Sequence, residues 1–260
     1  IPASLLYKSF KTMSVLASGA VVRQVLLSAG AEESQIMAKL QPIATDMHAL
    51  GNPWISYSVY LNNSFLPGLL QLMILLVTVF SIGSEMKRAT SREWLRTADD
   101  SIIIAITGKL IPQTIIFFSM GLLYLSLLYG YLHFPMHNSI WHMIFAMFLL
   151  VVASQSFAVI IMCFAPSLRI GLSVGGLVGV LSLSIAGFSF PVPAMYLPFQ
   201  AISYVLPVRH YFLIYVDQAL NGIPLYYSRV HYVALILFAV ASTPLLPRLK
   251  KALMRQVYVP

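Results

Sequence analysis

The sequence has 260 residues, of which 59% are apolar and only 9% are charged, and its mean hydropathy is +0.83. Because a soluble domain carries about a quarter charged residues, this composition excludes an ordinary water-soluble globule. It is also too apolar and too aromatic for a disordered chain. We therefore predict an all-α polytopic membrane protein, since each crossing needs about 20 mostly apolar residues.

The charge balance points to a membrane surface. The chain has 16 basic and 8 acidic residues, and its net charge is +8. The basic residues stand beside apolar runs, which indicates membrane orientation and contact with anionic lipid headgroups rather than with nucleic acid. The single cysteine, Cys163, lies inside an apolar run and has no partner for an internal disulfide.

The first 64 residues contain no apolar run that we interpret as a crossing. Residues 15–27 favour short strands or a buried helix, and residues 31–41 read as a helix that Pro42 interrupts. We predict that residues 1–64 are the truncated end of an extracytoplasmic α/β domain. Trp54, Tyr57 and Tyr60 then form an interfacial aromatic belt before the first apolar run.

Apolar runs predict five transmembrane helices in this chain. They cover residues 65–83, 101–131 (an amphipathic start followed by a span from about Ile111), 141–164, 170–188 and 231–247. An outside N-terminal piece without a signal sequence implies a further helix upstream, which makes six in the full protein.

The loop at residues 84–100 is the most charged part of the sequence. It holds 8 of the 24 acidic and basic residues. Read as one helix, it places Met86, Thr90, Trp94, Ala98 and Ile102 on one stripe at fourfold spacing. This pattern fits either an ordinary amphipathic connector or a docking surface for a partner on that side of the membrane.

Residues 189–229 are broken by prolines into pieces too short to cross. We interpret these pieces as re-entrant helices on the outer side, with tyrosines at the headgroup level. By the positive-inside rule, residues 84–100, residues 166–169 and the basic tail at 248–260 lie in the cytoplasm. Five crossings then leave residues 1–64 outside.

Several residues inside the membrane carry packing or polar interactions. Glycines at Gly171, Gly175 and Gly179 form a flat stripe for close helix packing, either inside one bundle or at a dimer seam. Arg209 and Asp217 either pair or satisfy backbone groups. Gln71, Gln113 and Gln155 read as interhelical hydrogen bonders, and Lys109 as a side chain that reaches the inner interface.

No enzyme motif stands out. The sequence has no Gly-x-x-x-x-Gly-Lys-[Ser/Thr] phosphate loop and no His-Glu-x-x-His. His133, His137 and His142 cluster around a turn without a nearby Cys or carboxylate, so we predict no metal site. We expect no cofactor on this chain.

One resemblance covers roughly residues 50–255. Glu85, Thr90, Glu93 and Leu95, followed by Gly108-Lys109 and Pro112, resemble the signature of type-2 ABC exporter permeases, in their bacterial efflux-like branch. That family has a loop similar to Glu-x-Glu-x-Gly-Thr-x-Glu-x-Leu, in which this chain has Lys87 and Ala89 at the second acidic and the glycine positions. The stretches 187–191, 202–207 and Asn221-Gly222 are similar to the family's extracellular re-entrant segment.

The resemblance implies an ATP-driven exporter for a hydrophobic or amphipathic substrate, in a bacterial inner membrane. It implies that residues 84–100 form a coupling helix in a groove of a separate cytoplasmic ATPase subunit, which holds ATP-Mg. The coupling residues are Glu85, Thr90, Glu93, Trp94 and Leu95, and the outer gate includes Phe190, Pro191, Pro207 and Asp217. It also implies dimerisation with a second permease copy or a related permease.

Two other functions remain open at this point. An ion-coupled secondary transporter usually carries carboxylates near the midplane, which we do not find here. A non-transporting membrane scaffold or sensor would bind its ligand through an external domain.

Overall fold

The computed structural model describes residues 2–30 and 56–255, and within these ranges it is helical with no strand. The chain divides into two units, Ile1–Ile55 and Ser56–Pro260. The first unit contains helix α1, Pro2–Ser28, with Pro2 at its first position, where a proline is tolerated. All the other described helices belong to the second unit.

The second unit contains nine α-helices within residues 56–255. They are α2 (Tyr57–Lys87), α3 (Ser91–Arg96), α4 (Ile102–Leu125), α5 (Ile140–Phe164), α6 (Leu168–Ile185), α7 (Leu197–Tyr204), α8 (Pro207–Tyr215), α9 (Leu225–Val240) and α10 (Leu246–Arg255). π-Helical turns, Ser126–Tyr131 and Val216–Leu220, extend α4 and α8. Short 3-10 turns, Val192–Ala194 and Thr243–Leu245, precede α7 and α10.

Six helical segments in the described ranges are long and apolar enough to cross a membrane. They are Leu6–Ser28, Tyr57–Lys87, Ile102–Tyr131, Ile140–Phe164, Leu168–Ile185 and Leu225–Arg255. The predicted count of five is therefore not supported, and the placement of residues 1–64 outside the membrane loses its basis, since it depended on that count.

The predicted N-terminal α/β fragment is also not supported, because residues 2–28 form one helix. The candidate span of this helix contains three basic residues, Lys8, Lys11 and Arg23. Long basic side chains near the ends of a helix reach the headgroup level with their charges and leave their stems in the apolar region, so they do not prevent a crossing. The prediction for residues 31–41 lies outside the described residues.

Helix α5 lies at the centre of the second unit. It is predominantly apolar and is the most buried of the candidate spans, although Trp141, Phe145 and Phe148 are exposed. One half packs in a core with Leu75, Ile102 and Leu249, and the other half packs in a core with Tyr211 and Leu235. The described part of the bundle therefore has one large core toward α10 and one toward the proline-broken segment, with a smaller cluster of Ile74, Phe117 and Val151.

Polar side chains join the helices inside this apolar bundle. Gln71 Nε2 donates to Ser182 Oγ at 3.0 Å, while its Oε1 accepts from the backbone amide of Val208 at 2.8 Å. Thr78 donates to Gln113 Oε1 at 3.2 Å, and Thr114 donates to Gln155 Oε1 at 2.8 Å. All three glutamines thus bridge helices. Side-chain hydrogen bonds of this kind help membrane helices to associate.

The glycine stripe of α6 faces α2 of the same chain. A Cβ on Gly179 would lie 3.2 Å from Leu72 Cα, and one on Gly171 would lie 3.0 Å from Val79 Cγ1. Gly83 on α2 is equally close to Leu168, at 3.0 Å from its Cα. Gly175 is less crowded, with Val79 Cγ2 at 3.6 Å. An intramolecular helix therefore occupies this stripe, which was one of the two predicted roles.

Candidate functional site

The charged loop is not one continuous helix. Helix α2 ends at Lys87, and Ala89 adopts a left-handed conformation with φ of 59°. Thr90 N donates to Glu85 O at 3.0 Å and Ala89 N to Met86 O at 3.2 Å, the two hydrogen bonds of a Schellman turn. The predicted single helix over residues 84–100 is therefore wrong, because this turn ends α2 before α3 begins.

A second turn redirects the chain after α3. Asp99 and Asp100 both have positive φ, of 51° and 55°. Aspartate tolerates this conformation better than most residues, because its short polar side chain hydrogen-bonds locally. Asp100 N donates to Leu95 O at 3.0 Å, and α4 begins two residues later. The six residues of α3 thus sit between two sharp turns that connect two candidate spans.

One half-buried ion pair ties these elements together. Glu85, at the end of α2, accepts from Lys109 Nζ of α4 at 2.6 Å, and the two side chains are 25% and 19% exposed. The Thr90 hydroxyl donates to the other carboxylate oxygen of Glu85. Lys109 Nζ also lies 4.3 Å from the centroid of the Trp94 ring, a cation–π contact. This charged cluster therefore connects α2, α3 and α4.

The C-terminal helix α10 covers the loop from the other side. Ser91 Oγ donates to Leu253 O at 2.9 Å, and the Arg92 guanidinium donates to Met254 O at 3.0 Å and 3.2 Å. Lys250 Nζ donates to Asp100 O at 2.6 Å. Leu95 is fully buried in the same core as Leu253. The loop thus has a defined position against α10.

The outer surface of the loop remains charged and exposed. Arg88, Arg92, Glu93, Arg96 and Asp99 are all exposed. The predicted coupling residues consequently separate into two groups. Glu85, Thr90, Trp94 and Leu95 hold the loop from inside, whereas Glu93 faces outward. A partner that binds this surface would contact Glu93 and its charged neighbours, while Glu85 acts within the chain.

The predicted gate residues lie in separate places at the other end of the bundle. Phe190 and Pro191 are exposed in the turn that follows α6, and Pro207 is buried at the first position of α8. Asp217 accepts from Ser228 Oγ at 3.0 Å. The structure therefore does not bring these four residues into one constellation.

Two roles were predicted for Arg209, pairing with Asp217 or satisfying a backbone group. The structure shows the second. Its Nη1 donates to Ala186 O at 3.0 Å, and its guanidinium carbon lies 4.7 Å from the centroid of the Tyr204 ring. Gly187 makes this possible, since it has a φ of 103° and its missing Cβ would stand 2.6 Å from Arg209 Nη1. The pairing with Asp217 is not formed.

A polar network fixes the start of α9. Gln218 Nε2 donates to Ser228 Oγ at 2.7 Å and to Ile223 O at 3.1 Å. Asn138 Nδ2 donates to Gln218 Oε1 and to Ile223 O, both at 3.0 Å. The turn between α4 and α5 is thereby attached to the π-helical turn after α8.

His210 is a buried titratable residue at the proline-broken end of the bundle. Its Nε2 donates to Tyr204 O at 3.0 Å, and its Nδ1 lies 3.4 Å from Nδ1 of His231. Burial lowers the pKa of His210, because it disfavours the charged form of the imidazole. Within residues 2–30 and 56–255, no group of three His, Cys, Asp or Glu side chains is placed to hold a metal ion.

An apolar groove opens between α2 and α4. Its volume is about 230 Å³, and its lining includes Leu66, Leu70, Met73, Met120 and Tyr124. The lining is almost entirely apolar, apart from the Tyr124 hydroxyl, which donates to Asn62 O at 3.3 Å. The groove suits an apolar ligand or a lipid chain rather than a charged solute.

Sequence reasoning missed two of these contacts. The first is the ion pair: the sequence predicts that Lys109 reaches the inner interface but not that it pairs with Glu85, although the two side chains have opposite charges. The attachment of α10 to the loop had no local signal, since Ser91 and Leu253 are 162 positions apart.

Comparison with known proteins identifies the family. No curated protein and no solved structure matches this chain. A family model described as ABC-2 family transporter protein matches residues 2–246. This match covers most of the chain and agrees with the six candidate spans. The chain therefore belongs to the ABC-2 family of transporter proteins.

Proposed function

We propose that this chain is the membrane-spanning permease subunit of an ATP-driven ABC exporter. It would move a hydrophobic or amphipathic substrate out of the cytoplasm or the inner leaflet of a bacterial inner membrane. A separate cytoplasmic ATPase subunit would bind and hydrolyse ATP-Mg, and two permease chains, identical or related, would form the transport path. The ABC-2 family match and the apolar helices support this proposal.

The single observation that carries the mechanism is the charged cluster of Glu85, Thr90, Trp94 and Lys109. It fastens the loop to both α2 and α4, while Glu93 and Arg96 stay exposed for a partner. A force on this exposed surface therefore reaches two spans together. For ATP to drive the change, the ATPase must bind the two conformations with different affinity.

The groove between α2 and α4 supports an apolar substrate class. Because these are the two helices that the loop connects, a tilt of either one changes the groove. Its lining by Leu66, Met73 and Met120 favours an apolar substrate that enters from the bilayer. At the opposite end, residues 189–229 would form the outer gate.

Cysteine labelling tests the orientation. The native Cys163 is 2% exposed, so an introduced cysteine on the surface dominates the reaction. With a membrane-impermeant maleimide, Arg96→Cys should react only after the membrane is permeabilised. Tyr196→Cys, at an 83% exposed position in the proline-broken segment, should react in intact spheroplasts. Labelling of Arg96→Cys in intact spheroplasts would refute the proposed orientation.

Charge reversal tests the coupling. Glu93 is exposed, so Glu93→Arg should leave the fold intact but weaken the ATPase contact. We expect at least tenfold less ATPase activity to copurify with the variant, because a like-charge contact replaces a complementary one and costs several kcal/mol. Arg229→Glu reverses a charge in α9 near the proline-broken segment and is the matched control. Equal ATPase recovery from Glu93→Arg and the native protein would contradict the proposal.

A further inference from the structure

A second cavity lies between α10 and the end of α5. Its volume is about 420 Å³. One wall is apolar and includes Met86, Phe164 and Pro166, and the other carries Arg248, Lys251 and Arg255. No acidic side chain lines this cavity, whose walls all belong to the described part of the chain. The cavity therefore combines three positive charges with an apolar surface.

The sequence of α10 explains this arrangement. Leu246, Leu249 and Leu253 are buried against the bundle at a helical spacing. Positions 248, 251 and 255 follow the same spacing on another face, so their long side chains extend into the cavity together. The apolar face thus packs α10 against the bundle, and this packing places the three cationic side chains in the cavity wall.

The position of the cavity at the end of a candidate span favours one class of ligand. Phe164 is the last residue of α5, so the cavity lies where a candidate span ends and the lipid headgroups begin. Phe164 is 59% exposed, and Arg248 lies 4.7 Å from the centroid of its ring. An acidic protein segment would match the cations but leave this apolar surface uncovered. A phospholipid matches both, with its phosphate at the cations and its acyl chain along Phe164.

We propose that this cavity binds the headgroup of an anionic phospholipid, with Arg248, Lys251 and Arg255 around the phosphate. The bound lipid would hold α10 against the membrane surface. Since α10 also anchors Ser91 and Arg92, lipid binding would stabilise the position of the charged loop. This site does not require an ATPase partner, so it stands independently of the proposed transport mechanism.

Native mass spectrometry of the purified chain in detergent tests the proposal. Phosphatidylglycerol is titrated against the native protein and against the variant Arg248→Gln/Lys251→Gln/Arg255→Gln. Since each basic residue near an anionic surface contributes about a fivefold gain in affinity, we expect the triple variant to bind at least tenfold more weakly. Lys87→Gln/Arg88→Gln/Arg96→Gln removes the same charge from exposed loop positions and should bind within about threefold of the native protein, since none of these residues lines the cavity.

Two further ligands separate a lipid site from other anion sites. Phosphatidylcholine should bind at least tenfold more weakly than phosphatidylglycerol, because it has no net charge. Inorganic phosphate at millimolar concentration should not displace the lipid, because it cannot occupy the apolar wall. Displacement by phosphate, or equal binding of the two lipids, would overturn the proposal.

Equal phosphatidylglycerol binding by the two triple variants would also overturn it. A triple variant that keeps lipid binding but loses copurifying ATPase would assign the cavity to a protein interface instead. If the triple variant does not fold, Lys251→Gln replaces it, with an expected loss of about fivefold. Arg248→Lys/Arg255→Lys keeps the charges and should retain binding.

Discussion

At the scale of single residues, Ala89 shows how the backbone conformation explains a family motif. The permease signature that this sequence resembles has glycine at this position. The structure places Ala89 at the left-handed residue of a Schellman turn. Glycine is the usual residue there because it has no Cβ to clash with the following carbonyl. The alanine therefore carries a local strain that the surrounding contacts of the loop must offset.

We predict that Ala89→Gly raises the free energy of unfolding by about 1 kcal/mol, since a left-handed L-residue costs roughly 1–2 kcal/mol. Unfolding of the purified protein in mixed micelles, followed by circular dichroism, measures this change. Ala201→Gly is the control, because Ala201 is an exposed residue of the ordinary helix α7 and its replacement should lower stability by about 0.5–1 kcal/mol. A destabilising Ala89→Gly would show that the turn is not strained.

At the scale of helices, the contact between α2 and α6 depends on glycine. With Leu72 Cα 3.2 Å from the position of a Cβ on Gly179, a side chain at this position could not fit without moving its neighbours. Helices in a membrane associate mainly through such close packing, because lipid tails are as apolar as the side chains. Gly176 lies on the same helix, but a Cβ there would find only Leu76 Cδ2, at 3.8 Å.

These neighbouring glycines provide a matched pair of substitutions. Gly179→Ala should destabilise the protein by about 1–3 kcal/mol, the usual cost of an overpacked contact. Gly176→Ala should raise stability by about 0.5–1 kcal/mol, because its Cβ enters ordinary van der Waals space and alanine is the better helix former. Thermal unfolding in detergent compares the two variants. Equal effects would mean that the two helices are not packed as described.

At the scale of the whole molecule, the two ends of the second unit are held by different means. The end with the charged loop depends on contacts between distant parts of the chain, namely the Glu85–Lys109 ion pair and the hydrogen bonds to α10. The proline-broken end depends on the network around Gln218 and on the contact between Arg209 and Ala186. A change at one end should therefore leave the other end intact.

Leu253→Ala tests this independence. Leu253 is fully buried, and Leu→Ala replacements in a core cost about 2–5 kcal/mol. We expect faster amide hydrogen exchange in residues 91–101, which contact α10, and unchanged exchange in residues 207–220. Val233→Ala, at a position 53% exposed on α9, is the control and should affect neither region. Unchanged exchange in residues 91–101 would show that α10 does not support the loop.

Much of the architecture was predictable because membrane helices have a strong local signal. A run of about 20 apolar residues has to form a helix in the bilayer, since every backbone group must find its partner inside the segment. The resemblance to type-2 ABC permeases is confirmed by the family match. The exception is α1, where Lys8, Lys11 and Arg23 lower the hydropathy of the segment and so weaken its local signal for a crossing.

What the sequence determined by itself is the membrane class, the family and the glutamines that bridge helices, because each depends on local composition or on a motif. Only the tertiary structure decided that the charged loop is broken by two left-handed turns, that Glu85 pairs with Lys109, and that Arg209 binds Ala186 O rather than Asp217. The first turn places an alanine in the left-handed region, which its residue type does not predict. The ion pair and the Arg209 contact join different parts of the fold, 24 and 23 positions apart in the chain. Their energies depend on distances between helices, and no local pattern of residues contains those distances.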